Sequence, residues 1–400
     1  MEDVRGVHDP TIIEANQQFY LFSTDTQQPP TQGVPIRISK NLSEWHFAGS
    51  ALKGVPQEAQ EWSQAQGLWA PDVVQVGAEF RMYYSASTFG STTSLIGLAT
   101  AADPSGPWTD QGAVVKTSSK LADHNAIDAN FTLDREGNQW LVYGSFFGGI
   151  YLAKINPATG KLLNSEDYGI KIAQRPQTVD GAIEGPFIYY HPETDYFYLF
   201  VSFDSLNDSY NIRVSRAREI TGPYLDLAGR KMTDFASPPR EIGVKLLGSY
   251  QFANESPVYG PGHNSILKTT SGELFIVHHY RRRPFSDEFY LGIRKLFWLD
   301  NGWPIVAAAT IGEGDEIEDI NVATGVWEVV TFDYTETLKK SVTQEVKIKQ
   351  QNDKYYWNEM QIIPYSINQQ LYFSGLNHQG VAVFGKKVKE ANNEITKRLE

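Results

Sequence analysis

The chain has 400 residues, and 35 Lys and Arg stand against 47 Asp and Glu, for a formal net charge of −12. Phosphate backbones and anionic membranes repel an acidic surface, so we expect neither nucleic acid nor a membrane as a partner. The chain contains no cysteine, which excludes disulfides, thiolate metal sites and cysteine nucleophiles.

The composition predicts an all-β protein of two units. Aromatic residues make up 13% of the chain, and 33 Gly and 20 Pro divide it into short segments, which favours many short strands over long helices. Single hydrophobic cores stop growing at roughly 250–300 residues, so we expect one large domain and one small one.

One pattern recurs five times in chain order: a polar residue, an apolar strand, a turn and a second strand rich in aromatic residues. The copies begin at His8, Ala70, Ile127, Glu184 and Gly262. Two period-two runs across a short turn predict a β-hairpin, and each interval has room for about four strands, the content of one propeller blade. The repeat therefore predicts a five-bladed β-propeller over residues 1–316.

Residues 317–400 lack this repeat and hold short strands rich in Lys, Gln and Thr. We expect a small C-terminal all-β domain there, with a barrel-like form. Its function is left open between carbohydrate binding and support of the propeller, and we favour support.

A polar residue leads the first strand of each copy: Asp9, Asp72, Asp128, Glu184 and His263. The innermost strands of a propeller start at the same end of one axis, so we expect these side chains to converge on the mouth of the central channel. Carboxylates held together repel one another, and at least one then keeps a proton near neutral pH. One protonated and one ionised carboxyl group are what glycoside hydrolysis requires.

Short motifs around these residues resemble glycoside hydrolase family 43, and within it the endo-α-1,5-L-arabinanases. They occur in the family's order at Val7–Pro10, Trp69–Asp72, Asn125–Asp128, Tyr143–Gly149, Glu184–Pro186 and Gly260–Ser265. The resemblance implies a secreted enzyme that cleaves internal bonds of arabinan, a plant cell-wall polysaccharide. The first repeat begins so close to Met1 that we expect an export signal to be missing from this sequence.

The same resemblance implies a role for each acid. Asp9 is the general base that activates water, Glu184 is the general acid, and Asp128 raises the pKa of that acid and orients it. The reaction would proceed by single displacement with inversion, for which the base and the acid should lie ~6.5–9.5 Å apart.

Further site residues follow from the resemblance. His263 is expected to face a single metal ion in the central channel; we expect calcium, although calcium prefers oxygen ligands and its identity stays open. Expected substrate contacts are Trp69, Phe89, Asn130 and Ser145, and Asp72 is left open between a structural and a substrate-binding acid.

Two other functions remain open at this stage. The first is exo action within the same family, as an α-L-arabinofuranosidase or a β-xylosidase, with the same acids in a differently shaped cleft. The second is a carbohydrate-binding propeller without catalysis, which the presence of all three acids disfavours. We expect arabinan or its oligosaccharides as the only partner, and a monomer.

Overall fold

The computed structural model describes residues 4–28, 30, 33–311 and 324–388. Within these ranges the chain is almost entirely β, with one short helix, α1 (Gln57–Ser63), and a 3-10 turn at Gln177–Val179. No helix in this part of the chain is long and apolar enough to cross a membrane. The predicted domain boundary between residues 316 and 317 lies outside the described residues.

Five antiparallel sheets of four strands each form the blades, and in each the strands follow chain order from one edge to the other. The first contains β1 (His8–Ala15), β2 (Gln18–Thr24), β3 (Pro35–Ser39) and β4 (His46–Ser50). The second contains β5 (Trp69–Val76), β6 (Glu79–Ala86), β7 (Ser94–Ala101) and β8 (Thr109–Thr117). The third contains β9 (Asn130–Leu133), β10 (Gln139–Tyr143), β11 (Ile150–Lys154) and β12 (Ile170–Ala173).

The fourth blade contains β13 (Ile183–His191), β14 (Tyr196–Phe203), β15 (Asn211–Ala217) and β16 (Val244–Leu247). A short strand, β17 (Tyr250–Gln251), follows it. The fifth blade contains β18 (Tyr259–Lys268), β19 (Leu274–Arg281), β20 (Tyr290–Trp298) and β21 (Pro304–Val306). The neighbouring blades cover both faces of the second strand of a blade. An apolar strand such as β14, with the sequence YFYLFVSF, is therefore buried almost throughout.

The first strands of the five blades form a closed ring. β1, β5, β9, β13 and β18 contact one another in this order, and β18 meets β1. The Ser265 hydroxyl donates to the Pro10 carbonyl across this closure at 2.8 Å, and the Gly6 N–H donates to the Phe289 carbonyl of the last blade at 2.9 Å. The predicted five-bladed propeller is confirmed.

The C-terminal residues form a curled sheet, so the prediction of an all-β unit is confirmed. Its strands are β22 (Gly325–Thr331), β23 (Lys339–Lys340), β24 (Val342–Val346), β25 (Lys349–Gln351), β26 (Lys354–Trp357), β27 (Met360–Ile367), β28 (Gln370–Leu376) and β29 (Ala382–Lys387). Seven of them form one sheet in the order β24-β22-β29-β28-β27-β26-β25, and β23 pairs in parallel with β17.

One apolar core joins this sheet to the fourth and fifth blades. Leu246 and Ile305 of the propeller are fully buried with Phe332 and Phe384 of the C-terminal sheet. Burying one such side chain contributes about 1.5–3 kcal/mol, so the sheet is packed against the propeller rather than loosely attached to it.

Candidate active site

A β-bulge near the start of the first strand shapes the mouth of the channel in four blades, those of β1, β5, β13 and β18. The first bulged residue has a positive φ (Asp9 50°, Ala70 42°, Gly185 57° and His263 46°), and in the third blade Asp128, two residues before β9, has a φ of 60°. This region is uncommon for residues other than glycine and persists only where the surroundings impose it. The bulge turns these side chains towards the axis, as bulges next to active sites commonly do.

A side chain from the preceding blade binds the backbone N–H of four of these five residues. The pairs are Ala70 N to Thr24 Oγ1 at 2.9 Å, Asp128 N to Ser85 Oγ at 3.0 Å, His263 N to Ser202 Oγ at 2.7 Å and Asp9 N to His279 Nδ1 at 3.2 Å. The corresponding position of the third blade is Gly144, which has no side chain. The Gly185 N–H is bound instead by Asp128 Oδ2, at 3.1 Å. The Asp128 carboxylate therefore lies against the fourth blade, which carries Glu184.

The bulges correct one expectation about the polar residues. Asp9 and His263 are the first bulged residues of their blades, Asp128 has the same positive φ just before β9, and Glu184 directly precedes the bulged glycine of the fourth blade. Asp72 is the first residue after the bulge of the second blade, two residues beyond Ala70, where its strand has already entered the channel. The mouth therefore receives three acids and one histidine, and Asp72 is not among them.

Asp72 and Asn130 lie below the mouth and join neighbouring blades. Asp72 Oδ2 accepts hydrogen bonds from Phe131 N at 2.7 Å and Asn130 Nδ2 at 3.3 Å, and Asn130 Oδ1 accepts one from Ile188 N at 2.9 Å. Both side chains are buried and line a channel cavity of ≈ 270 Å³. Burial raises the pKa of Asp72 from 3.8 to about 7, against the effect of these hydrogen bonds. The substrate contacts expected of these two residues stay predictions.

Asp9 is surrounded by hydrogen-bond donors. Its Oδ2 lies 2.6 Å from Thr24 Oγ1 and 2.8 Å from His8 Nδ1, and its Oδ1 lies 3.2 Å from His263 Nδ1. Burial alone would raise the pKa of Asp9, but the imidazoles of His263 and His8, and the hydrogen bond from His8, hold it well below the ordinary 3.8. Asp9 is therefore ionised over the ordinary pH range and can accept a proton.

Asp128 has the opposite electrostatic setting. Burial raises its pKa well above the ordinary 3.8, and the charges of Glu184 and Asp9 raise it further, while the Gly185 N–H lowers it. Asp128 therefore favours its protonated form beside two other carboxyl groups. The three acids that the sequence singled out thus share one electrostatic environment, in which one is held ionised and another is held neutral.

Two hydroxyl groups hold the Glu184 carboxyl group. The Ser145 hydroxyl donates to Oε2 at 2.8 Å, and the Tyr210 hydroxyl donates to Oε1 at 2.8 Å. Ser145 was expected to contact substrate, but the structure places it on Glu184. Tyr210 is one of 21 tyrosines and has no motif around it that would have distinguished it in the sequence.

The two predicted aromatic contacts lie at the mouth end of the second blade. Trp69 is half-buried and pairs with Ser85, next to the bulge. Phe89 is 96% exposed on the loop from β6 to β7, which leaves the blade at that same end. An exposed ring there is free to stack on a sugar. Their contact with substrate stays a prediction.

The donors near His263 fit a calcium ion poorly. His8, Asp9 and His279 offer ligand atoms within 4.8 Å of one another, but two of the three are nitrogens, and calcium prefers six to eight oxygens. The one carboxylate, Asp9, is already bound by Thr24 and His8. A calcium ion beside His263 would have to take most of its ligands from water.

Residues 4–304 match the family model of glycosyl hydrolases family 43. The chain belongs to this family. Among the relatives of this family 43 chain is an extracellular endo-α-(1→5)-L-arabinanase of Thermotoga petrophila, 30% identical over 454 residues, which cover 96% of this chain and 94% of the relative. An extracellular exo-α-(1→5)-L-arabinofuranosidase of Cellvibrio japonicus is 31% identical, and the match covers 75% of this chain and 86% of that enzyme.

Among solved structures, the family 43 YxiA protein of Bacillus licheniformis superposes with a TM-score of 0.83 at 29% identity. The superposition covers 96% of this chain and 98% of that one, so it includes the C-terminal sheet as well as the propeller. Membership of the family makes this chain a glycoside hydrolase, as the motifs predicted.

Proposed function

We propose that the protein hydrolyses internal α-1,5-L-arabinofuranosidic bonds of arabinan with inversion at the anomeric carbon. The observation that carries the proposal is the pairing of an ionised Asp9 with a protonated Asp128 beside Glu184 at one channel mouth. Arabinan as substrate follows from the names of the Thermotoga and Cellvibrio relatives, both of which act on α-1,5-linked arabinose.

Asp9 acts as the general base in this proposal. Its carboxylate is ionised and has several fixed donors around it, so its orientation is set before substrate binds. It takes a proton from a water molecule as that water attacks the anomeric carbon, the role of the base in an inverting glycosidase.

Glu184 acts as the general acid and gives its proton to the departing glycosidic oxygen. Unlike Asp9 and Asp128, it is only half-buried, so its carboxyl group can reach a substrate in the cleft. Asp128 touches the backbone N–H directly after Glu184 and adds a nearby carboxyl group, which favours retention of a proton on the pair.

Endo action is preferred to exo action because the Thermotoga relative, which matches 96% of the chain with the C-terminal residues included, is named an endo-arabinanase. Export from the cell belongs to the proposal, since both relatives are named extracellular. A channel metal ion with His263 as its protein ligand stays a prediction, as does a monomeric state, and no step above depends on either.

The test is digestion of debranched arabinan, followed by chain-length analysis and by NMR of the first anomer released. We expect arabino-oligosaccharides to form early and the anomeric configuration to be inverted. Glu184→Ala should lose at least about 1,000-fold in rate, while Glu193→Ala, an exposed carboxylate of the same blade, should match the wild type. Release of arabinose alone would favour exo action, and no release from arabinan would refute the proposed substrate.

A further inference from the structure

We propose that Tyr210 is a positioning residue for Glu184, whose hydroxyl fixes the plane of the Glu184 carboxyl group for proton delivery to the leaving oxygen. This inference rests on the proposed role of Glu184 as the general acid. Tyr210 lies in none of the family motifs, and only the folded structure brings it next to Glu184.

The hydrogen bonds to Glu184 restrict its carboxyl group at both oxygens. Tyr210 donates to Oε1 and Ser145 donates to Oε2, each at 2.8 Å. Ser145 precedes Glu184 in the chain and Tyr210 follows it, and the two donors belong to different blades. A glutamate side chain has several soft torsions, and its terminal torsion is broad. One donor on each oxygen prevents rotation about that bond and leaves the remaining lone pairs to carry the proton that is transferred.

The Tyr210 ring is itself held in place by packing. Its side chain is 1% exposed, and the ring stacks on His279 with centroids 5.7 Å apart and planes 15° apart. On the other side it fills the space beside Gly262, where an added Cβ would lie 2.0 Å from Tyr210 Cδ1. Glycine is therefore required at position 262 to admit the ring, which explains one residue of the Gly260–Ser265 motif.

The Tyr210 hydroxyl remains a donor under all ordinary conditions. Burial raises the pKa of Tyr210 well above its usual 10, and the charges of Glu184, Asp128 and Asp9 raise it further.

The segment before Tyr210 is fixed from two neighbouring parts of the fold. The Phe285 N–H of the fifth blade donates to the Asn207 carbonyl at 2.9 Å. The Ser249 hydroxyl donates to the Asp208 carbonyl at 2.9 Å, and the Ser249 carbonyl in turn accepts the N–H of Lys339 in β23 at 2.9 Å. The C-terminal residues thus support, through β23, the segment that leads to Tyr210.

The decisive experiment compares two substrates with Tyr210→Phe. On arabinan, whose leaving oxygen needs protonation, we expect kcat to fall roughly 10- to 100-fold, as for loss of a buried hydrogen bond to a charged group, with KM within about 2-fold. On a 2,4-dinitrophenyl α-L-arabino-oligosaccharide, whose leaving group departs without a proton, we expect a loss below about 3-fold. Ser145→Ala should show the same dependence on the leaving group.

Tyr224→Phe is the matched control. Tyr224 belongs to the same blade, is 1% exposed and donates its hydroxyl to the Ile220 carbonyl at 2.9 Å, away from the acids. Tyr224→Phe removes the same phenolic oxygen as Tyr210→Phe, so any effect on stability alone should appear in both variants. The activity of Tyr224→Phe on both substrates should match the wild type.

Equal losses of Tyr210→Phe on both substrates, or full activity on arabinan, would overturn the positioning role. The result is separable from a failure of the proposed function. If Glu184→Ala shows the leaving-group dependence and Tyr210→Phe does not, only the role of Tyr210 is wrong. If Glu184→Ala shows none, Glu184 is not the general acid and both proposals are wrong.

Discussion

Replacing Asp72 with asparagine removes a buried carboxyl group from the channel while keeping its shape. The pKa of Asp72 is raised from 3.8 to about 7, chiefly by burial. Between these two values the folded protein holds a proton that the unfolded chain has released, so the free energy of unfolding falls as the pH rises through this window. Below the window the group imposes no penalty on folding, and above it the penalty is complete.

The window is about three pH units wide, and each unit corresponds to about 1.4 kcal/mol, so the full penalty is about 4 kcal/mol. In Asp72→Asn the new amide oxygen can take the place of Oδ2 and accept both the Phe131 N–H and the Asn130 amide, so neither hydrogen bond is lost. The variant should therefore differ little from the wild type in stability at pH 4 and be more stable by about 4 kcal/mol at pH 8.

Urea unfolding followed by tryptophan fluorescence at several values between pH 4 and pH 8 measures this difference. The exposed carboxylate of Asp287 supplies the control, since Asp287→Asn should change the free energy of unfolding only slightly. A difference for Asp72→Asn that stays constant across the range would show that Asp72 is ionised in the folded protein, and the reasoning from burial would be refuted.

Three further variants test the mouth of the channel. Gly185→Ala places a Cβ 3.2 Å from the His263 ring at a φ of 57°. We expect this variant to lose about 1–2 kcal/mol in stability and at least 10-fold in activity on arabinan. Unchanged activity would contradict this expectation. Phe89→Ala should raise KM for arabinan roughly 2- to 10-fold with no change in melting temperature, because the ring is 96% exposed; an unaltered KM would remove Phe89 from the substrate contacts. His263→Ala should lower the metal content per chain, measured by elemental analysis after dialysis, and an equal content in both proteins would show that His263 is not a ligand.

Local patterning was enough to predict the propeller. A hairpin of period-two strands is encoded by adjacent residues, and the paired strands β1 and β2, and β5 and β6, fall on the copies that begin at His8 and Ala70. The three acids proposed to be catalytic were found for the same reason, since Asp9, Asp128 and Glu184 each stand in a short motif at the start of a repeat.

The sequence could not show which residue of each copy faces the mouth. A bulge inserts one extra residue into the strand and changes the direction of the side chains that follow. This is why Ala70, rather than Asp72, occupies the position in the second blade that Asp9 and Asp128 occupy in theirs. The bulge is specified jointly by a strand and by the capping side chain of the preceding blade, so it cannot be read from either segment alone.

The amino-acid sequence by itself determined the number of blades, the three acids and the family chemistry, because each of these is carried by a few neighbouring residues. Only the tertiary structure decided the contacts between blades: the hydroxyls of Ser145 and Tyr210 on Glu184, the histidines around Asp9, and the placement of Asp72 inside the channel. These partners are distant along the chain, and no local pattern records which of many serines, tyrosines or histidines the closing of the ring will bring together.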